Sequence, residues 1–202
     1  MFEVSAEIVS NERLTHATWL LALRSEKIAQ TAKPGQFVMI RVSLGLDPLL
    51  RRPFSICAVK EDLFLVLYRV VGKGTSLMRE LRQGEKLQVL GPLGKSFSVS
   101  EKSFSRLLVG GGIGVAPLLF LHRFHREKVA AFMMGFRSAK DILSLQKITG
   151  EERGFAVATD DGTKGHHGPV TDLLAEFLRK NSGDVAVYAC GPKPMLRKVA
   201  ET

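Results

Sequence analysis

The sequence predicts two domains of different class: an antiparallel β-barrel over residues 1–98 and an α/β domain built on a parallel sheet over residues 99–202. Three observations carry this. The chain has 202 residues, enough for two cores of about 100 residues each. Its first half repeats short strand patterns joined by short polar turns, as a small barrel or sandwich does. From Arg106 onward strands alternate with helical patterns, as crossover connections require.

In the first half, strands are expected over 2–9, 15–23, 36–42, 54–59, 63–71 and 86–90, parted by turns such as Lys33-Pro34-Gly35 and Lys60-Glu61-Asp62. One helix is expected to interrupt them over 75–82. Leu77, Met78 and Leu81 share a face there, with Thr75 as cap and Gly84 as stop. Leu90-Gly91-Pro92-Leu93-Gly94 reads as a double turn in which the last strand ends and a linker begins.

In the second half, a strand over 107–109 runs through Gly110-Gly111-Gly112-Ile113-Gly114-Val115-Ala116-Pro117 into a helix bearing Leu118, Leu119, Leu121 and Phe124. Pro117 suits the first turn, where its missing N–H costs nothing. A strand over 129–134, a helix near 141–147 and a strand over 154–159 follow. A helix over 170–180 then carries Leu173, Leu174, Phe177 and Leu178 on one side. The strand over 185–189 closes in Cys190-Gly191-Pro192-Lys193-Pro194-Met195, whose glycine and prolines fix a sharp turn and launch a last helix over 195–201.

In an extended segment Arg52 and Phe54 share one face and Pro53 and Ser55 the other. Arg52 offers a fork of donors for phosphate, Phe54 a flat apolar ring, and Ser55 a hydroxyl and backbone group for a ring nitrogen or carbonyl. Those are the three needs of a flavin. A proline-started strand with a surface arginine is the alternative for these four residues alone. Leu67, Tyr68 and Arg69 add an aromatic ring and a second cation on the strand leading to Gly72-Lys73-Gly74-Thr75-Ser76. Gly72 and Gly74 let backbone approach a ligand, and the free N–H groups of a helix start favour an anion such as a diphosphate. A plain glycine turn with a helix cap is the alternative.

Gly110, Gly111, Gly112 and Gly114 lie between strand and helix, where dinucleotide phosphates bind, although their spacing departs from G-x-G-x-x-G. Close packing of the turn is the alternative. Arg137 and Asp160 follow strand ends, where ligands of parallel sheets gather, and are expected beside an adenosine ribose. A carboxylate there favours NAD over NADP, while Arg137 pulls the other way. Cys190, with Gly191, Pro192 and Met195, is expected across the sheet from the glycine run, close to where a nicotinamide must go. A strand-end cysteine is also ordinary packing. His166 and His167 sit in a Gly-flanked loop without a carboxylate or cysteine at ligand spacing and read as solvated, not metal-binding.

Composition narrows the function classes. Hydrophobic residues are 45% and charged residues 24%, as in soluble globular proteins and unlike disordered ones. The longest apolar run, 107–121, holds four glycines and a proline and is too short to span a bilayer. The N-terminus lacks the basic start and apolar block of a signal peptide, so a cytoplasmic protein is expected. A net charge of +9 points to anionic partners. Nucleic acid is disfavoured, because the lysines and arginines are scattered and there are only two tyrosines and one tryptophan. Two cysteines exclude a disulfide framework and an iron–sulfur centre held by four thiolates of this chain.

Arg-Pro-Phe-Ser at 52–55, Gly-Lys-Gly-Thr-Ser at 72–76, the glycine run at 110–117 and Tyr-Ala-Cys-Gly-Pro-Lys-Pro-Met at 188–195 together resemble the ferredoxin reductase superfamily over nearly the whole chain. Within it, Leu-Arg-Arg-Pro-Phe-Ser-Ile, Tyr-Arg-Val-Val-Gly-Lys-Gly-Thr, Leu-Gly-Pro-Leu-Gly and Thr-Asp-Asp-Gly-Thr look most like the electron-transfer subunits of NAD-linked dihydroorotate dehydrogenases. The resemblance implies FAD along Arg52–Ser55 and Leu67–Arg69, with its diphosphate at Gly74 and Thr75. It implies NAD(H) with its diphosphate near Gly110–Gly114 and its nicotinamide beside Cys190. Hydride would pass between nicotinamide and flavin N5 without a side-chain acid or base. The implied partner is a dihydroorotate dehydrogenase catalytic subunit, in a hetero-oligomer serving pyrimidine biosynthesis. Related subunits hold a [2Fe-2S] cluster in a C-terminal cysteine-rich segment, and such a ligand set is lacking here: either the chain is shortened or the protein lacks that relay. Two alternatives stand beside this reading: a similar NAD(P)H-linked reductase subunit of a hydrogenase, sulfide dehydrogenase or ferredoxin system, and a non-catalytic module that senses nucleotide or docks a partner.

Overall fold

A computed structural model of the chain describes residues 1–43, 45–99, 105–150 and 154–202. These fall into two units, Met1–Phe97 and Ser98–Thr202. In the first, the alternating strands are β1 (Phe2–Arg13), β2 (Thr18–Arg24), β3 (Phe37–Arg41), β4 (Arg52–Lys60), β5 (Leu63–Arg69) and β6 (Lys86–Leu93), with helices α1 (Glu26–Thr31) and α2 (Lys73–Glu80) between them. Among the described residues they close an antiparallel barrel in the order β1-β2-β5-β4-β3-β6, with Ile8, Leu21, Val38, Ile56 and Phe64 wholly buried inside the unit. Closure leaves no free sheet edge.

Several boundaries differ from those the sequence suggests, each for a tertiary reason. β1 runs on past Val9 because a register shift between Ile8 and Ser10 lets its first half pair β6 and its second half pair β2. β4 opens at Arg52, paired with Ile40. Gly91, Pro92 and Leu93 belong to β6 rather than to a linker: Gly91 pairs Phe2 and Leu93 pairs Phe37. Glycine is required there, since a Cβ on Gly91 would lie 2.6 Å from Val38 Cγ1. Among the described residues two helices interrupt the barrel, not one. α1 is too short to show a period; Ile28 and Ala29 bury its face, and the Ser25 hydroxyl accepts from Ile28 N–H at 3.5 Å. Thr75 lies inside the first turn of α2, whose N-cap is Gly72. Its hydroxyl accepts from Val71 N–H at 2.9 Å and Gly72 N–H at 3.2 Å, so it fastens the loop from within the helix.

The second unit contains β7 (Ser105–Gly111), α3 (Val115–Phe124), β8 (Val129–Phe136), α4 (Gln146–Thr149), β9 (Phe155–Thr159), β10 (His166–His167), α5 (Val170–Lys180), β11 (Val185–Cys190) and α6 (Lys193–Glu201). Its strands pair in parallel in the order β10-β9-β8-β7-β11. Leu107, Val109, Met133 and Ala158 pack with Val170 and Leu174 of α5. The chain leaves β7 toward β10 and returns on the other flank as β11, so strand order reverses between β7 and β11. Ligands of open parallel sheets bind at the carboxyl ends of such a pair. The helix expected near 141–147 is instead a 3-10 turn, Ala139–Asp141, and the short α4. The Ser138 hydroxyl donates to the Asp141 carboxylate at 3.1 Å and holds that turn. His166 and His167 are not a loop: they pair with Ala158 and Thr159 of β9 as an edge strand. Among the described residues no helix is long and apolar enough to cross a membrane.

Candidate functional site

In the first unit the structure brings the two halves of the expected cradle together. The Cβ position of Gly74 is 3.4 Å from Val42 Cγ2 and 3.5 Å from Arg52 Nε, so the Arg52 side chain lies along the first turn of α2. Arg52 Nη1 donates to Leu50 O at 2.8 Å, which fixes the stem while Pro53 beside it stays exposed. Arg52, Phe54 and Ser55 are each partly exposed on β4. Gly72 has extended backbone, and no described atom lies within 4 Å of its Cβ position. Lys73 pairs with Asp47 and ties the β3–β4 loop to the start of α2.

Leu67 and Tyr68 are core residues, 3% and 1% exposed, while Arg69 is exposed at the end of β5. The Tyr68 ring stacks on Trp19 at 6.4 Å and meets the edge of Phe54 at 6.1 Å. Its hydroxyl donates to Asn11 Oδ1 at 2.9 Å, and burial pushes the phenol above its ordinary range. The second aromatic ring expected at a ligand is therefore buried, where it packs against Phe54. Asn11 completes this support by donating to Met78 O at 2.7 Å and Leu81 O at 3.1 Å, which clamps the end of α2 to β1. Asn11 is missing from the sequence-based site because it lies beyond the strand expected over 2–9, where no local pattern marks it.

In the second unit Cys190 stands in register with Gly110 across the β7–β11 pair. A Cβ on Gly110 would meet Val115 Cγ1 at 2.7 Å, on Gly111 Met195 Sδ at 2.6 Å and Pro192 Cδ at 2.9 Å, and on Gly114 Cys190 O at 2.5 Å. Gly191 is equally tight: a Cβ there would lie 2.7 Å from Met195 Cε and 3.0 Å from Gly111 N. These glycines let the two turns pack face to face. Gly112 differs: its φ is +54° and no described atom lies within 4 Å of its Cβ position. Close packing and an open approach are thus both present, on different glycines of one run. Burial raises the pKa of the half-buried Cys190 thiol and keeps it protonated.

Arg137 and Asp160 are exposed at the ends of neighbouring strands. Asp160 N–H donates to Phe136 O at 3.0 Å and Asp161 N–H to Arg137 O at 3.2 Å, which locks the two ends side by side. The Asp161 carboxylate accepts from the Thr163 hydroxyl at 2.6 Å and its N–H at 3.0 Å; these bonds hold its pKa low. A four-thiolate cluster does not fit this chain. Of two cysteines, Cys57 is wholly buried with its thiol pushed up to about 12, and no group of three metal-binding side chains occurs among the described residues.

An antiparallel barrel followed by this parallel sheet is the architecture of ferredoxin-reductase-like oxidoreductases. Residues 108–201 match the oxidoreductase NAD-binding domain family. The chain is similar to the solved NADH-dependent reduced ferredoxin-NADP oxidoreductase, with 27% identity and a TM-score of 0.81 over 96% of this chain and 70% of that one. In fold it also matches the ferredoxin reductase in carbazole 1,9a-dioxygenase, at 22% identity and a TM-score of 0.84 over 99% of this chain and 64% of the other. It is 38% identical to the dihydroorotate dehydrogenase B (NAD(+)) electron transfer subunit of Geobacillus thermodenitrificans, over 96% of this chain and 76% of that protein. The corresponding subunit of Bacillus mycoides is 41% identical over 94% of this chain and 74% of its own length. The chain belongs to the family of dihydroorotate dehydrogenase B electron transfer subunits.

Proposed function

We propose that this chain is an FAD-dependent, NADH-linked subunit that passes reducing equivalents between NAD(H) and a dihydroorotate dehydrogenase catalytic subunit, in a cytoplasmic hetero-oligomer serving pyrimidine biosynthesis. The observation that carries this reading is the pair of open glycine turns. One, at Gly72, opens the turn whose Gly74 lies against Arg52; the other, at Gly112, stands at the reversal of strand order, in the run whose Gly110 pairs with Cys190 and whose Gly114 packs on it.

The residues fit the two cofactors as follows. Arg52 and the N–H groups of Gly74 and Thr75 would hold the flavin diphosphate, with the Thr75 hydroxyl keeping the loop in shape. Phe54 offers its ring to the flavin, Pro53 and Ser55 the adjoining strand, and Leu67, Tyr68 and Arg69 their backbone. Gly112 gives the dinucleotide diphosphate close approach, while Gly110, Gly111 and Gly114 hold the turn against Cys190, Gly191, Pro192 and Met195. Arg137 and Asp160 flank the ribose, and the carboxylate makes NAD the preferred coenzyme. When bound, the cofactors supply hydride transfer and onward electron transfer; the protein contributes binding, orientation and exclusion of water. Cys190, held as a thiol, acts as a wall rather than a nucleophile. No step through an iron–sulfur cluster is assigned to this chain.

The test has two stages. Anaerobic addition of one equivalent of NADH to the FAD-loaded chain should bleach the flavin bands. Adding the chain to the catalytic subunit should then give NAD-linked dihydroorotate oxidation and co-purification. Flavin that NADH leaves oxidised would overturn the nicotinamide site. Bleaching without any effect on dihydroorotate oxidation would transfer the chain to another acceptor system.

A further inference from the structure

We propose that the first unit carries a second small-molecule site, separate from the turn at the start of α2, that takes a nucleoside monophosphate. A cleft of about 370 Å³ is lined by Arg13 at the end of β1, His16 in the β1–β2 turn, Trp19 on β2, Val70 after β5, and Arg79 and Glu80 in the last turn of α2. None of these residues belongs to the set placed around the flavin. The volume lies at the small end of the range for ligand cavities, about 300 to 1,000 Å³, and has room for a mononucleotide rather than a dinucleotide.

The walls are set before any ligand arrives. Arg13 Nε donates to Thr15 O at 2.9 Å and its Nη2 to His16 O at 3.0 Å, so the turn and the guanidinium hold each other. Val70 N–H donates to Ala17 O at 2.9 Å and closes the turn onto β5. Asn11 fixes the end of α2, and Trp19 is backed by Tyr68. Such preorganisation lowers the ordering cost of binding.

The chemistry of the walls selects the ligand. The indole of Trp19 is a stacking platform for a base. Arg13 and Arg79 supply two guanidiniums for a phosphate, the group their planar fork matches best. Glu80, already accepting from Arg79 Nε at 2.7 Å, offers a carboxylate to a base N–H or a ribose hydroxyl. A dianionic phosphate is the better complement of two cations against one carboxylate.

Trp19 is the only tryptophan in the chain, so the fluorescence and the indole N–H resonance of the protein arise at this cleft, and changes on adding nucleotide are read against the FAD-loaded protein alone. Adenosine 5′-monophosphate or uridine 5′-monophosphate, titrated into the FAD-loaded protein, should quench Trp19 saturably and shift the indole resonance. Adenosine alone should bind more weakly. Arg13→Gln or Arg79→Gln should weaken binding of the monophosphate by roughly 10-fold or more, as loss of a charge-assisted hydrogen bond does, with bleaching by NADH unchanged. If Arg13→Gln loosens its turn, Arg79→Gln carries the comparison. No quenching and no shift at millimolar nucleotide would overturn the site. A response confined to FAD-free protein and abolished by FAD would assign the cleft to the adenylate half of the flavin and equally overturn a separate site.

Discussion

Gly112 and Gly114 are two residues apart, and the structure gives them opposite reasons for being glycine. An alanine methyl at Gly114 would stand 2.5 Å from Cys190 O and 2.7 Å from Gly191 Cα, both backbone atoms that cannot swing aside. The β7–α3 turn and the turn after β11 must then part, an overpacking cost of about 1–3 kcal/mol. At about 4–8 °C per kcal/mol for a unit of this size, the melting temperature of the second unit should fall by about 4–24 °C. Gly112→Ala meets no described atom, but its φ of +54° is left-handed. Alanine there costs about 1–2 kcal/mol, a fall of about 4–16 °C. Because the ranges overlap, asparagine discriminates. Asparagine tolerates the left-handed region, so Gly112→Asn should recover most of the lost stability while its side chain fills the open approach and slows bleaching by NADH. Gly114→Asn should be worse than Gly114→Ala, since its defect is one of space. Calorimetric melts of the four variants, with anaerobic NADH titrations, make the comparison. A Gly114→Ala protein that melts with the parent, or a Gly112→Asn protein no more stable than Gly112→Ala, would refute the assignment of packing to one glycine and approach to the other.

Alkaline pH should destabilise the barrel through Cys57, whose thiol rises from 9.0 to about 12 by burial. Between those values the unfolded chain has released a proton that the folded chain keeps. Stability is therefore full below about pH 9 and falls by up to about 1.4 kcal/mol per pH unit above it; the Tyr68 phenol, also raised, adds to the loss at higher pH. Urea unfolding across this window should show the slope, and Cys57→Ala should flatten it; an unchanged slope would rule Cys57 out. Asn11→Ala leaves the Tyr68 hydroxyl, Met78 O and Leu81 O without their shared partner and should cost of order 3 kcal/mol by the same unfolding measurement, whereas a loss below about 1 kcal/mol would show that water replaces the side chain.

Much of the site was legible because its signals are local. Gly72 and Gly74 are close enough in chain order, and their residue type restrictive enough, for a glycine turn at a helix start to be read directly. The same holds for the glycine run after β7, where strand, turn and helix follow one another without interruption. What could not be read was the use of each residue. Tyr68 has the composition of a ligand-facing aromatic, yet its ring is buried against Trp19 and Phe54. Gly91 and Pro92 have the composition of a linker, yet β3 and β1 reach across the chain to pair with that segment. α1 escapes notice because six residues cannot display a helical period, and its stability comes from burying Ile28 and Ala29.

By itself the sequence determined the class of both halves and the position of the two glycine turns, because period and turn chemistry are properties of short stretches. Only the tertiary structure decided that Cys190 faces Gly110, that Gly114 serves packing while Gly112 stands open, and that Trp19, Arg13 and Arg79 share one cleft. Those relations join residues between 6 and 80 positions apart, and strand register and helix docking, which no local pattern encodes, bring them together.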